Sequence, residues 1–126
     1  MTDRTKITHV GTVIVPVSDQ ERAIAFYVDT LGFEVRLDAP FGEGQRWVEV
    51  APPGAATTIA LVPAPEGEPA GIVVSLATAD ADADHAALRE RGVDADEALI
   101  RLGPGVPPMF TFRDPDGNRF RMVERG

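Results

Sequence analysis

Glu49 and Arg121 are the residues of this sequence best suited to chemistry by type and setting. Glu49 stands in Arg46–Ala51 (RWVEVA) between Val48 and Val50, and Arg121 in Arg119–Glu124 (RFRMVE) between Phe120 and Met122. A carboxylate within an apolar strand costs free energy unless something pairs with it. Glu49 is therefore either a sheet-edge glutamate facing water or a pocket group that accepts from an amine or hydroxyl, or pairs with Arg121. Arg121 is either a surface arginine in a cross-strand pair or the holder of a ligand carboxylate or phosphate by a bidentate contact. The two histidines offer less. His9 reads as a strand-end histidine, and His85 falls in the middle of a helical stretch behind acidic residues. No cysteine is present, which excludes disulfides, cysteine-ligated zinc, iron–sulfur clusters and thiol catalysis. Gly103-Pro104-Gly105 is not a phosphate loop, since no Gly-Lys-Ser/Thr follows. Asp80, Asp82 and Asp84 spread over different faces of a helix and lack the glycine and terminal glutamate of a calcium loop.

The elements that must position these side chains occur twice. Ile7–Val17 is rich in β-branched residues and reads as a strand. Ser18 then opens a capping box, S-x-x-E, and Ala23, Phe26, Tyr27 and Leu31 follow at helical spacing up to Gly32. Three strand-like stretches come next: Phe33–Leu37, Arg46–Ala51 and Thr57–Val62. Pro63–Pro69 reads as a linker. Gly71–Ala77 is again a strand and Asp80–Arg91 again a helix, closed by Gly92. Val93–Leu102, Pro107–Arg113 and Arg119–Glu124 supply three more strands, the last two joined by Asp114-Pro115-Asp116-Gly117-Asn118. The chain is thus expected to be one domain, 1–126, with a first module over about 7–62 and a second over about 70–124. Internal repetition of a β-α-β-β-β unit carries that reading, and the fold class is α+β, the modules forming a curved mixed sheet around a cavity.

Alternation along strands assigns each side chain a face. Val13, Val15 and Val17 form the helix-facing set of the first strand, leaving Thr12 and Ile14 for the cavity. Val48 and Val50 leave Trp47 and Glu49; Ile59 and Leu61 leave Thr58 and Ala60; Ile72, Val74 and Leu76 leave Val73 and Ser75; Phe120 and Met122 leave Arg119, Arg121 and Val123. Phe110 and Phe112 are ambiguous. Their bulk turns them toward the helix, whereas matching Pro52-Pro53-Gly54 with Pro115-Asp116-Gly117 places them beside Trp47 and Glu49. The repeat is followed here. The expected ligand-binding set is Thr12, Trp47, Glu49, Ser75, Phe110, Phe112 and Arg121, apolar walls with a few polar groups.

Composition limits the partners. The chain has 126 residues, 44% hydrophobic and 25% charged, ordinary for a globular protein. A net charge of −8 repels phosphate backbones, so nucleic acid is not expected. No apolar run approaches the ~20 residues that span a bilayer, and no signal-peptide pattern opens the chain. A cytoplasmic protein with no membrane partner is expected.

Two segments carry a family resemblance: Val17–Val35 (VSDQERAIAFYVDTLGFEV) and Phe112–Glu124 (FRDPDGNRFRMVE). With them the chain resembles the vicinal oxygen chelate superfamily, also called the glyoxalase/bleomycin-resistance/dioxygenase superfamily, from about Ile7 to Glu124. The resemblance implies paired β-α-β-β-β modules, and in the family's enzymes a divalent metal held at positions that correspond here to Thr12, Ala60, Val73 and Arg121. None of these is a usual metal ligand, and an arginine repels a cation, so no metal or cofactor is expected. The expected function is binding or sequestration of a small organic ligand by a homodimer. The alternative is a glyoxalase-like lyase or isomerase, metal-dependent or metal-free, in which Glu49 is the general base and Arg121 stabilises an oxyanion. A third reading is an interaction module without a pocket. Whether a cavity closes within one chain or between two is left open.

Overall fold

The computed structural model describes residues 6, 9–40, 42, 44–64 and 73–125. The chain runs β1 (Thr12–Val17), α1 (Gln20–Ile24) with a π-helical continuation over Ala25–Thr30, β2 (Glu34–Pro40), β3 (Arg46–Ala51) and β4 (Thr58–Pro63). It then repeats the pattern with β5 (Val73–Thr78), α2 (Ala81–Glu90), β6 (Asp94–Ala95), β7 (Met109–Arg113) and β8 (Arg119–Glu124). The expected α+β class and paired β-α-β-β-β units are what forms, as two mixed four-stranded sheets, β1-β4-β3-β2 and β5-β8-β7-β6. In each sheet the first strand runs parallel to the last, and the last runs antiparallel to its other neighbour.

Local chemistry sets the helix ends. The Asp19 carboxylate accepts from the Arg22 N–H and the Asp80 carboxylate from the Ala83 N–H, each meeting a donor that the first turn leaves open. The capping box expected on Ser18 does not form. Ser18 instead donates through both its N–H and its hydroxyl to Asp116 of the second module, at 3.1 and 2.6 Å. Gly32 and Gly92 close the two helices at φ of 84° and 79°, a conformation open to glycine without strain.

Other boundaries shift for identifiable reasons. β1 starts at Thr12 rather than Ile7, because its ladder begins where Thr12 meets Thr58; Ile7 and Thr8 lie outside the described residues. β6 is only Asp94–Ala95 instead of Val93–Leu102, with an isolated bridge from Ile100 to Met109 after it. Pro63 ends β4, and the remainder of the expected linker from 65 on lies outside the described residues, as does the N-terminal stretch before Lys6.

The core joins the two modules by their helix-facing sides. Val15, Val48, Ile59 and Tyr27 of the first module share one buried cluster with Leu88, Phe110, Phe112 and Phe120 of the second. At the seam the Tyr27 ring meets Phe120 edge-on at 5.8 Å, and its hydroxyl donates to Asp114 at 2.7 Å. Asp114 is buried and fully bonded: one oxygen accepts from the backbone N–H of Asp116 and Asn118, the other from Tyr27 and the Asn118 amide. The Asn118 amide also donates to the Pro16 carbonyl at 2.7 Å. The Asp-Pro-Asp-Gly-Asn turn therefore clamps the second module onto the end of β1.

Candidate functional site on the open sheet faces

Because the helix-facing sides are consumed by the seam, the opposite faces of both sheets are left open. The ladders place their residues in rows. On the first sheet, Thr12 lies beside Thr58, and Ile14, Ala60, Glu49 and Leu37 form the next row. On the second sheet, Val73 lies beside Arg119 and Arg113, and Ser75, Arg121 and Thr111 form the next row. Large apolar side chains remain uncovered on both: Ile14 is 53% exposed, Leu37 44% and Val73 51%.

Thr12, Trp47, Glu49, Ser75 and Arg121 all lie on these open faces, as alternation indicates. The structure brings the first three together. The Trp47 indole N–H donates to one Glu49 oxygen at 2.7 Å and the Thr58 hydroxyl to the other at 2.7 Å. Thr58 and Thr12 hydroxyls lie 2.9 Å apart. With the single Thr58 proton committed to the carboxylate, Thr12 must be the donor in that pair. A relay thus runs from Thr12 through Thr58 to Glu49, whose far side is held by Trp47. The Glu49 carboxylate is partly buried, fixed in orientation, and each oxygen keeps lone-pair capacity for a further donor.

Phe110 and Phe112 are not cavity walls. Both are fully buried in the core on the helix side. Phe110 meets His85 edge-on at 5.0 Å, and Phe112 stacks on Phe120 at 5.4 Å. The reason is where the glycine falls in each hairpin connection. Gly54 follows the end of β3 at Ala51 by three residues, whereas Gly117 follows the end of β7 at Arg113 by four. Matching the two turn glycines therefore misplaces β7 by one residue, and a one-residue slip exchanges the faces of a strand. The residues equivalent to Trp47 and Glu49 are Met109 and Thr111, and Thr111 sits opposite Arg121.

Thr58, Leu37 and Thr111 join the open-face rows beyond the expected set. Alternation puts Thr58 on the right face but cannot show that its hydroxyl reaches Glu49. Leu37 follows an irregularity between Val35 and Leu37 that interrupts the period of two. Of the histidines, His85 bonds the Asp96 carbonyl at 2.7 Å, and His9 precedes β1.

Clefts lie on the seam side among the described residues. One of about 240 Å³ is lined by Phe26, Thr30, Val93, Arg113 and Pro115 among others, and one of about 90 Å³ by Leu31, Phe33, Leu76 and Met122 among others. Both are smaller than the ~300–1,000 Å³ of ordinary ligand sites, and neither reaches the Glu49 row. Thr12, Ala60, Val73 and Arg121 lie on the open faces but supply no carboxylate or imidazole. Among the described residues no three His, Asp or Glu side chains are grouped so as to hold a metal ion.

Residues 6–122 match the family model described as the Glyoxalase/Bleomycin resistance protein/Dioxygenase superfamily. The chain belongs to that superfamily. It is 32% identical over 123 residues to the uncharacterized protein YetH of Bacillus subtilis (strain 168), covering 94% of this chain and 99% of that one. Among solved structures of the superfamily's fold, TnmS3, an antibiotic binding protein from Streptomyces sp. CB03234, is 41% identical with a TM-score of 0.83, over 98% of this chain and all of that one (100%). A superfamily member from Sphaerobacter thermophilus DSM 20745 is 39% identical with a TM-score of 0.85, over 96% of this chain and 100% of that one. No helix among the described residues is long and apolar enough to cross a membrane.

Proposed function

We propose that this protein binds a small, largely apolar organic molecule without metal chemistry, and that the site is closed by two copies of the chain. The first-module face of one copy, carrying Ile14, Leu37, Trp47 and Glu49, covers the second-module face of the other, carrying Val73, Ser75, Thr111 and Arg121. A symmetric homodimer then holds two equivalent sites. The observation that carries this reading is the pairing of uncovered apolar side chains with a rigidly held carboxylate on a face the chain's own core does not use. Contiguous exposed apolar surface around a few fixed polar groups is what a ligand or partner site needs. The likeness to TnmS3, described as antibiotic binding, supports the same class of activity.

Light scattering across a dilution series tests the assembly. A dimer is expected, and Ile14→Asp is expected to yield a folded monomer. Thermal-shift titration with polycyclic aromatic compounds tests the binding. Stabilisation of the wild type but not of Ile14→Asp is the expected result; a monomeric wild type, or stabilisation equal in both, overturns the two-copy site. Recovery of the added compound unchanged separates capture from lyase or isomerase turnover.

A further inference from the structure

Arg121 is set apart from most arginines of this chain. Seven of the ten described arginines have the guanidinium bonded to a carboxylate, hydroxyl or carbonyl oxygen. Arg121 and Arg119 have no side-chain partner among the described residues, although the chain carries twenty acids against twelve bases. Their position is also unusual. β8 lies inside its sheet, between β5 and β7, so these side chains rise from the middle of the open face rather than from an edge. Arg113, the third arginine of that face, is occupied by Asp96 at 2.7 Å and Asp94 at 3.3 Å.

The neighbours of Arg121 are donors too. Its ladder partners are Ser75 on one side and Thr111 on the other, and neither hydroxyl has a side-chain partner among the described residues. Strands lie about 4.8 Å apart, so the row sets hydroxyl, guanidinium and hydroxyl across roughly 10 Å of one surface. The row ends at Asp96, whose N–H bonds the Thr111 carbonyl at 2.9 Å and whose carboxylate is already taken by Arg113 at 2.7 Å. The equivalent row of the first module has the reverse character, with Glu49 where Thr111 stands and Ala60 where Arg121 stands.

Resting on the capture reading above, we infer that this row is a carboxylate-binding subsite: Arg121 takes a carboxylate of an otherwise apolar ligand through its planar fork, and Ser75 and Thr111 donate to the same group. A guanidinium matches a planar carboxylate with two parallel bonds. Arg119, one row away, adds charge without sharing the row.

Three naphthalene probes of one shape test this: 2-naphthoate, 2-naphthamide and 2-naphthyl phosphate, titrated against wild-type protein and read by calorimetry and by the arginine side-chain N–H signals in ¹⁵N NMR. Naphthoate is expected to bind about tenfold more tightly than naphthamide, equivalent to about 1.4 kcal/mol, and to shift the Arg121 signal. Arg121→Gln is expected to abolish the preference, naphthoate then binding no more tightly than naphthamide; Arg121→Lys is expected to keep part of it, since the charge stays and the fork is lost. The preference is expected to shrink with added salt. Naphthoate and naphthamide binding alike, or a preference that survives Arg121→Gln, overturns this subsite and leaves apolar capture standing. Naphthyl phosphate binding more tightly than naphthoate overturns the assignment to carboxylate. If no probe binds, this inference and the capture reading both fall.

Discussion

The seam between the modules and the open faces of the sheets use the same polar residue types to opposite ends. At the seam, Asp114 accepts four hydrogen bonds, and Ser18, Tyr27 and Asn118 all bond across the module boundary. On the second open face, Ser75, Thr111, Arg119 and Arg121 have no side-chain partner among the described residues. Glu49 stands between these conditions, held by two donors yet with capacity left over. Buried polar groups are for the most part satisfied internally, and the seam follows this at Asp114 and Tyr27, with Asp116 Oδ2 and Asn118 Oδ1 the buried side-chain atoms left without a partner among the described residues. The open-face set is exposed, Thr111 in part, and can meet something from outside.

This contrast is most severely tested by removing its buried anchor. Asp114→Ala leaves the Tyr27 hydroxyl and two turn N–H groups without an acceptor, and is expected to cost on the order of 3–5 kcal/mol of stability in urea unfolding. A loss under about 1 kcal/mol would mean that the Asp114 bonds are not what holds the seam together. Phe112→Ala belongs to the same range, about 3–5 kcal/mol, and separates a core residue from a pocket wall: stability should fall far more than ligand affinity.

Tyr27 gives a sharper probe, because it is the chain's one tyrosine. Burial first, then the Asp114 carboxylate, pushes its phenol far above the ordinary range. The folded state keeps the proton while the unfolded chain releases it above about pH 10. The stabilisation is therefore complete below pH ~10 and is lost progressively as pH rises beyond it. Tyrosinate absorbance is expected to appear only together with unfolding; a smooth titration near pH 10 in folded protein would show the seam to be open to solvent.

On the open face the expected effects on stability are smaller. Glu49→Gln turns an amide N–H₂ toward one of two donors and loses about one hydrogen bond, about 1 kcal/mol, while binding of a protic aromatic ligand should fall measurably in calorimetry. Equal affinity would remove Glu49 from the site. Least of all is the exposed Arg46 bridge to Asp38. The Arg46 guanidinium holds the Asp38 carboxyl below the usual range, so any contribution is present above about pH 4 and fades as pH falls below it. Arg46→Ala should barely alter the acid limb of a stability–pH profile.

Much of this was legible in the residues. Asp19 and Asp80 open helices, Gly32 and Gly92 close them, and alternation alone puts Glu49 and Trp47 on one face. Three things were not. Ser18 looked like a helix cap because its competing partner, Asp116, is distant in sequence and close only in the fold. The π-helical stretch over Ala25–Thr30 is invisible to apolar spacing. The facing of Phe110 and Phe112 depended on counting residues through two hairpins, where bulk alone pointed to the core.

A duplicated module can shift its turn glycine by a single residue without disturbing its sheet: every side chain on the strand before the loop then changes parity relative to the turn but keeps its face, as Glu49 and Thr111 do. In a repeated fold, strand register and not the turn motif therefore decides which residues are equivalent, and superimposing the halves by their turns inverts the lining of one of them.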